Sequence, residues 1–72
     1  MFEVGDLVKV VKEVDVPSWT GFMNHYVGNG VAYRIEDKGF DTFLKTGERL
    51  RDTPDYKVDD YWFPEEALEK VG

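Results

Sequence analysis

Hydrophobic and polar side chains alternate most clearly near the start of the chain, in "DLVKVVKEV" at residues 6–14. Val8, Val10 and Val14 alternate there with mostly polar neighbours, and β-branched residues suit a pleated surface. Gly5-Asp6, directly in front, is typical of a turn. The pattern predicts a first strand over 6–14.

The segment "DVPSWTGFMNHYVGNG" at 15–30 lacks this alternation and is rich in proline, glycine and asparagine, which argues against regular structure. A merely solvated loop would not carry four large apolar groups, so a long loop folded back on the core is predicted, with one helical turn at 22–26. Gly28 and Gly30 would allow positive φ where the chain enters the next strand. The four large apolar residues are Trp19, Phe22, Met23 and Tyr26.

The next segment, "GVAYRIEDKGFDTFLKTG", predicts a hairpin. Its first strand would place Val31, Tyr33 and Ile35 on one face. Asp37-Lys38-Gly39 has the composition of a type I turn with glycine at the left-handed position. The return strand would run over 40–45.

Residues 48–60 form the most polar stretch, in which arginines are interleaved with acids. Pro54 would break any helix. A loop is therefore predicted, which carries Tyr56 and Val58 toward a strand that ends at Phe63.

The segment "YWFPEEALEKVG" at 61–72 allows two interpretations. Pro64 could begin an amphipathic helix packed on a sheet. Alternatively, a strand ends at Pro64, a single 3-10 turn follows, and residues 69–71 pair back on the first strand, with Ala67 and Leu68 closing the end of a small barrel. The second interpretation is favoured, because a lone helix of this length is marginal and closure removes exposed strand edges.

Three sets of proteins share these motifs. "YWFPEEALEKV" resembles the end of SH3 and SH3-like domains, and "FEVGDLVKVVKEVDVPSW" resembles the start of SH3-like repeats in E3 ubiquitin ligases of the Mind bomb type and in Keep on Going. "MNHYVG" and the aromatic-Pro-acid tail resemble short SH3-like proteins of phages and prophages. The resemblance implies an all-β fold, a small five-stranded SH3-like barrel with a short 3-10 or helical turn near the C-terminus, and it makes a phage or prophage origin an expectation.

Length and composition fit one small domain spanning residues 1–72. The chain has no cysteine and a single histidine, His25, so neither disulfides nor a structural zinc site would staple it. Aromatic residues make up 15% of the chain and would fill the core. The lack of cysteine and of a signal peptide or long apolar run predicts a cytoplasmic, non-membrane protein without a cofactor.

The net charge of −6 argues against direct binding of nucleic acid, which usually requires a basic face. An SH3-like fold implies binding of a protein or peptide, often in an aromatic groove. This chain has Ala67 where SH3 domains have a groove tyrosine, and "DLVKVVKEV" where they have the "ALYDY"-type strand, so ordinary recognition of polyproline ligands is not predicted. A monomer or weak oligomer is expected.

The predicted partner-binding surface is formed by the 15–30 loop and the 48–62 segment. Trp19, beside Pro17 and Gly21, is its most exposed expected member. The alternative is that most of these rings belong to the core, Phe22 and Trp62 above all. The predicted surface residues are Trp19, Tyr26, Tyr56, Trp62, Pro64, Asp59 and Asp60.

Catalysis and metal binding are not predicted. Ser18 and His25 lie in the same loop, but no sequence signal places an acid behind the histidine. Asp52, Asp55 and Asp59-Asp60 lack the spacing and glycine of a calcium loop, so they are interpreted as a solvated or partner-facing group.

Two other functions stay open. An acidic inhibitor of a basic, nucleic-acid-binding host protein would concentrate its acids on one face. An accessory structural subunit of an assembly would expose a large apolar patch and self-associate.

Overall fold

A computed structural model of the chain describes residues 1–40 and 53–72, and within them it shows short strands and two 3-10 helices. The strands are β1 (Leu7–Val10), β2 (Tyr33–Arg34), β3 (Asp37–Gly39), β4 (Asp55–Val58), β5 (Tyr61–Pro64) and β6 (Leu68–Lys70). The 3-10 helices span Gly21–His25 and Glu65–Ala67.

The strands form two antiparallel sheets of three strands each. The first sheet has the order β2-β1-β6 and the second has the order β3-β4-β5. For the described residues, the expected all-β character is confirmed.

The extended segment from β2 to β3 runs from one sheet into the other. The backbone N–H of Ile35 donates to Asp6 O at 2.9 Å, which extends the pairing of β2 with β1. The next N–H, that of Glu36, donates to Lys57 O at 2.8 Å, which extends the pairing of β3 with β4. Consecutive peptide groups therefore bond to different sheets, and this junction fixes one sheet against the other.

The core lies between the sheets and is built from alternate strand positions. In β1, Val8 and Val10 are buried while Leu7 and Lys9 face outward, as the period of two requires. Met23 of the first 3-10 helix reaches the same core, so the loop is anchored to it. The buried apolar residues are Val8, Val10, Met23, Ile35, Tyr56, Val58, Phe63, Ala67 and Leu68.

The strand, the 3-10 turn and the closing strand expected in the last segment are confirmed, with pairing over 68–70 instead of 69–71, and the helix packed on a sheet is wrong. Pro64 precedes the Glu65–Ala67 3-10 helix, and β6 then pairs antiparallel with β1. Ala67 and Leu68 are buried, as expected. The positive φ expected at Gly28 and Gly30 is also observed, and the expected helical turn at 22–26 is the 3-10 helix Gly21–His25.

The first strand is shorter than the predicted 6–14. It ends at Val10, and the last bond toward the tail joins Val11 N to Ala67 O at 2.8 Å. The tail residues that precede β6 form the 3-10 helix Glu65–Ala67 and not a strand. The residues after Val11 therefore have no strand in the tail with which to pair.

The predicted hairpin turn at 37–39 is wrong, because these residues form β3 and pair with β4. Their turn-like composition is overridden by a partner much later in the chain. Phe40 follows β3 outside any strand, and the rest of the predicted return strand, residues 41–45, lies outside the described residues.

The predicted loop over 48–60 is also wrong in its second half. Asp55–Val58 is a strand, and it forms a hairpin with β5 through the two-residue turn Asp59-Asp60. Tyr56 and Val58 point inward and are fully buried, and this burial stabilises the strand despite its polar neighbours.

Candidate binding surface

An aromatic cluster centred on Tyr26 joins the long loop to the β4–β5 hairpin. The ring of Tyr26 lies 5.4 Å from that of Tyr33, and 5.7 Å from those of Tyr61 and Phe63. The rings meet edge-on or tilted, as their quadrupoles favour. Residues after the first 3-10 helix are thereby held on β5.

The turn between β4 and β5 carries two exposed acids in a conformation that is unusual for them. Asp59 has a φ of 49° and Asp60 a φ of 72°, and both values lie in the left-handed region. Val58 pairs with Tyr61, so the turn has two residues, the kind in which Asn-Gly is preferred. Two aspartates at these positions are costly to the fold, and such strained residues are common at functional sites.

A hydrogen bond ties this turn to the aromatic cluster. The Tyr26 hydroxyl donates to Asp59 Oδ2 at 2.7 Å. This bond, with desolvation as a smaller cause, raises the pKa of Tyr26 to about 12. Tyr26 therefore keeps its proton, and its bond to Asp59, to a higher pH than an ordinary tyrosine would.

A shallow cleft lies beside the cluster, between the first 3-10 helix and β5. It has a volume of about 500 Å³, and the surface exposed in it is mostly apolar. Phe22 forms its most prominent wall, with 69% of its surface exposed. The lining residues are Thr20, Gly21, Phe22, His25 and Tyr61, and we refer to this site as the Phe22 cleft.

Trp62 lies on the other face of β5. Alternation along the strand sends Tyr61 and Phe63 to one side and Trp62 to the opposite side. Trp62 lies over Gly39 of β3, where a Cβ would meet its ring at 3.8 Å, an ordinary contact distance. It lines a second cleft of about 260 Å³ with Ser18, Gly39, Phe40 and Asp55.

The structure does not assemble the predicted surface residues into one surface. Tyr56 is fully buried, its hydroxyl accepts the Phe2 N–H at 3.0 Å, and burial raises its pKa. Pro64 is also buried. Neither side chain is available to a partner, so both are left out of the candidate surface.

Trp19 is half-buried instead of being the most exposed ring. It packs edge-on against Phe63 at 5.6 Å, and its indole N–H donates to Asn24 Oδ1 at 2.7 Å. A cleft of about 390 Å³ lies beside it, lined by residues 13–16, but the surface exposed there is mostly polar. Trp19 therefore braces the loop more than it offers a contact.

The interpretation of Phe22 and Trp62 as core residues is wrong. Phe22 is the most exposed aromatic residue among those described, and Trp62 is 38% exposed. In the 3-10 helix, Met23 takes the buried position next to Phe22. Phe22 and Met23 are both apolar residues of the same predicted turn, and only the orientation of the helix buries one and exposes the other.

The described residues show no cluster of three or more side chains that could hold a metal ion. Asp55 is buried and has its own partner, whereas Asp59 and Asp60 are exposed at the turn. His25 and Ser18 line different clefts, one beside Tyr61 and the other beside Trp62.

Exposed acids are spread over the described part of the chain. They occur at the N-terminal turn, in the long loop, at both sheets and at the β4–β5 turn. Glu3, one of them, pairs with Lys38 at 3.5 Å, and the half-buried Asp6 pairs with Lys70 at 3.7 Å.

Comparison of the chain with protein-family models, with curated proteins and with solved structures gives no match. Among residues 1–40 and 53–72, no helix has the length and apolar character needed to cross a membrane.

Proposed function

We propose that this chain is a non-catalytic SH3-like domain that binds a protein partner through the Phe22 cleft. The proposal includes closure of its two sheets into a small barrel, in keeping with the motifs of its two ends. The resemblance to phage proteins stays a prediction.

One observation carries the proposal: a large aromatic side chain is left exposed beside an apolar cleft in a domain with few core residues. Burying the Phe22 ring would be favourable by about 1.5–3 kcal/mol, yet the fold leaves it in water. Met23, the next residue in the same loop, is buried, so the loop packs one apolar side chain into the core and leaves the other exposed. Exposed aromatic rings beside a cleft are typical anchors for a partner.

The cleft is also held in shape before any partner arrives. Met23 anchors the 3-10 helix in the core, and the Met23 sulfur accepts the Thr20 N–H at 3.2 Å. Tyr26 fixes the end of the helix to β5 and to the turn. A preformed surface loses less conformational freedom on binding, which favours affinity.

Two variants test the cleft without touching the core. Phe22→Ala removes the exposed wall. Gly21→Leu fills the cleft, since a Cβ at Gly21 would meet nothing within 4 Å and Gly21 has no positive φ. Val4→Ala is the matched control, because Val4 is exposed and does not line the cleft.

The measurement is a pull-down with the tagged chain from a lysate of its source organism, at about 0.1 M and about 0.5 M salt, where exposed charge pairs are screened. We expect a partner that persists at high salt, is lost with both cleft variants and is kept by Val4→Ala. A partner that survives both cleft variants would refute the proposal. If that partner is a nucleic-acid enzyme and is lost at high salt, the acidic-inhibitor hypothesis replaces it.

A further inference from the structure

The Phe22 cleft is bordered by negative charge. Asp60 directly precedes Tyr61, a lining residue, and Asp59 is bonded to Tyr26, which follows the lining residue His25. Both acids are exposed. The apolar site and the two carboxylates therefore belong to one surface.

Both carboxylates are available to a ligand. Within the described part of the chain, neither acid is paired with a lysine or arginine. Asp59 accepts the Tyr26 hydroxyl through Oδ2 only, so Oδ1 remains open to another donor. The two acids are neighbours in the two-residue turn at the end of the hairpin.

Resting on the proposed function, we propose that the partner segment carries a lysine or arginine next to an apolar residue. The apolar side chain enters the cleft against Phe22 and Tyr61. The cation pairs with Asp59 and Asp60 and lies near the ring of Tyr61, where a cation–π contact adds to the attraction. A basic-apolar peptide fits this site better than an acidic or a purely apolar one.

The cation is expected to provide specificity more than affinity. Exposed ion pairs contribute about 0.2–1 kcal/mol each, so two of them correspond to a roughly two- to thirtyfold change in affinity. Phe22→Ala, which removes the aromatic wall, should weaken the affinity for the partner segment at least about tenfold, as expected for an anchor residue.

A random dodecapeptide library displayed on particles provides the probe. It is selected in parallel on the wild-type chain and on Phe22→Ala, and the most enriched peptide is then synthesised and titrated. Asp59→Asn/Asp60→Asn removes both charges but keeps an acceptor for Tyr26 and a residue type that tolerates the left-handed turn. Glu36→Gln/Glu69→Gln changes the net charge equally and alters no lining residue, so it is the matched control.

We expect peptides with a lysine or arginine beside an apolar residue, which bind about two- to thirtyfold more weakly to Asp59→Asn/Asp60→Asn and nearly unchanged to the control. Peptides that depend on Phe22 but lack a basic residue, or that ignore the loss of both aspartates, would overturn this inference and leave the proposed function standing. A library that yields no peptide dependent on Phe22 would overturn both.

Discussion

Replacing Asp60 with glycine should stabilise the protein. Asp60 has a φ of 72°, in the left-handed region, at the second position of a two-residue turn. Glycine adopts this conformation without a steric penalty and is the preferred residue there. The side chain of Asp60 is exposed, so its loss removes no core packing.

The size of the gain follows from two opposing effects. A left-handed conformation costs a residue with a Cβ about 1–2 kcal/mol, with aspartate near the lower end. Glycine raises the entropy of the unfolded chain and returns about 0.4–1 kcal/mol of this. The net gain is about 0–0.6 kcal/mol, which raises Tm by up to about 5 °C in a domain of this size.

Thermal and urea unfolding followed by circular dichroism would measure the change. Asp60→Ala is the control, since it removes the same charge and keeps a Cβ. We expect Asp60→Gly to be more stable than Asp60→Ala by the amount of the relieved strain, at low and at high salt. Equal stability of the two variants would refute the argument, because the gain would then come from charge and not from the backbone.

Two further predictions concern the 3-10 helix and the aromatic cluster. Met23→Ala should lower the free energy of unfolding by about 2–5 kcal/mol in urea titrations, because Met23 is buried. Phe22→Ala should change the free energy of unfolding little, because Phe22 is exposed. Similar losses for the two variants would show that Phe22 is not exposed. The Tyr26 hydroxyl should titrate near pH 12 by NMR, and its pKa should be lower in Asp59→Ala. Because folding raises this pKa, the stability that Tyr26 contributes below pH 10 should be lost as the pH rises from 10 to 12. An unchanged pKa in Asp59→Ala would contradict this.

Local signals predicted the two ends of the fold well. The alternation of Val8 and Val10 defines the buried face of β1, and Pro64 marks the start of the last 3-10 helix. Both depend on neighbouring residues only. No local pattern contains the pairing of β6 with β1; it was predicted because a lone helix of this length is marginal and a closing strand covers an exposed edge.

Long-range pairing explains the errors. Asp37–Gly39 has good turn chemistry, but β4 supplies it with a strand partner, and pairing prevails over local preference. Asp59-Asp60 lacks the glycine that is typical of a two-residue hairpin turn, so the acidic sequence did not predict this turn. The exposure of Phe22 depends on which way one helical turn faces, and this orientation is set by packing in the core.

The pairing of β1 with β6 determines the order in which the strand pairs can form during synthesis on the ribosome. The hairpin of β4 and β5 is local and can form as soon as residue 64 is free of the exit tunnel. Strand β1 leaves the tunnel first, yet one of its edges waits for residues 68–70. Throughout that interval Leu7–Val10 is an unpaired, valine-rich edge in a nascent chain, the kind of segment that aggregates or is held by a chaperone. Residues 68–70 thus protect an edge of a strand that is synthesised long before them.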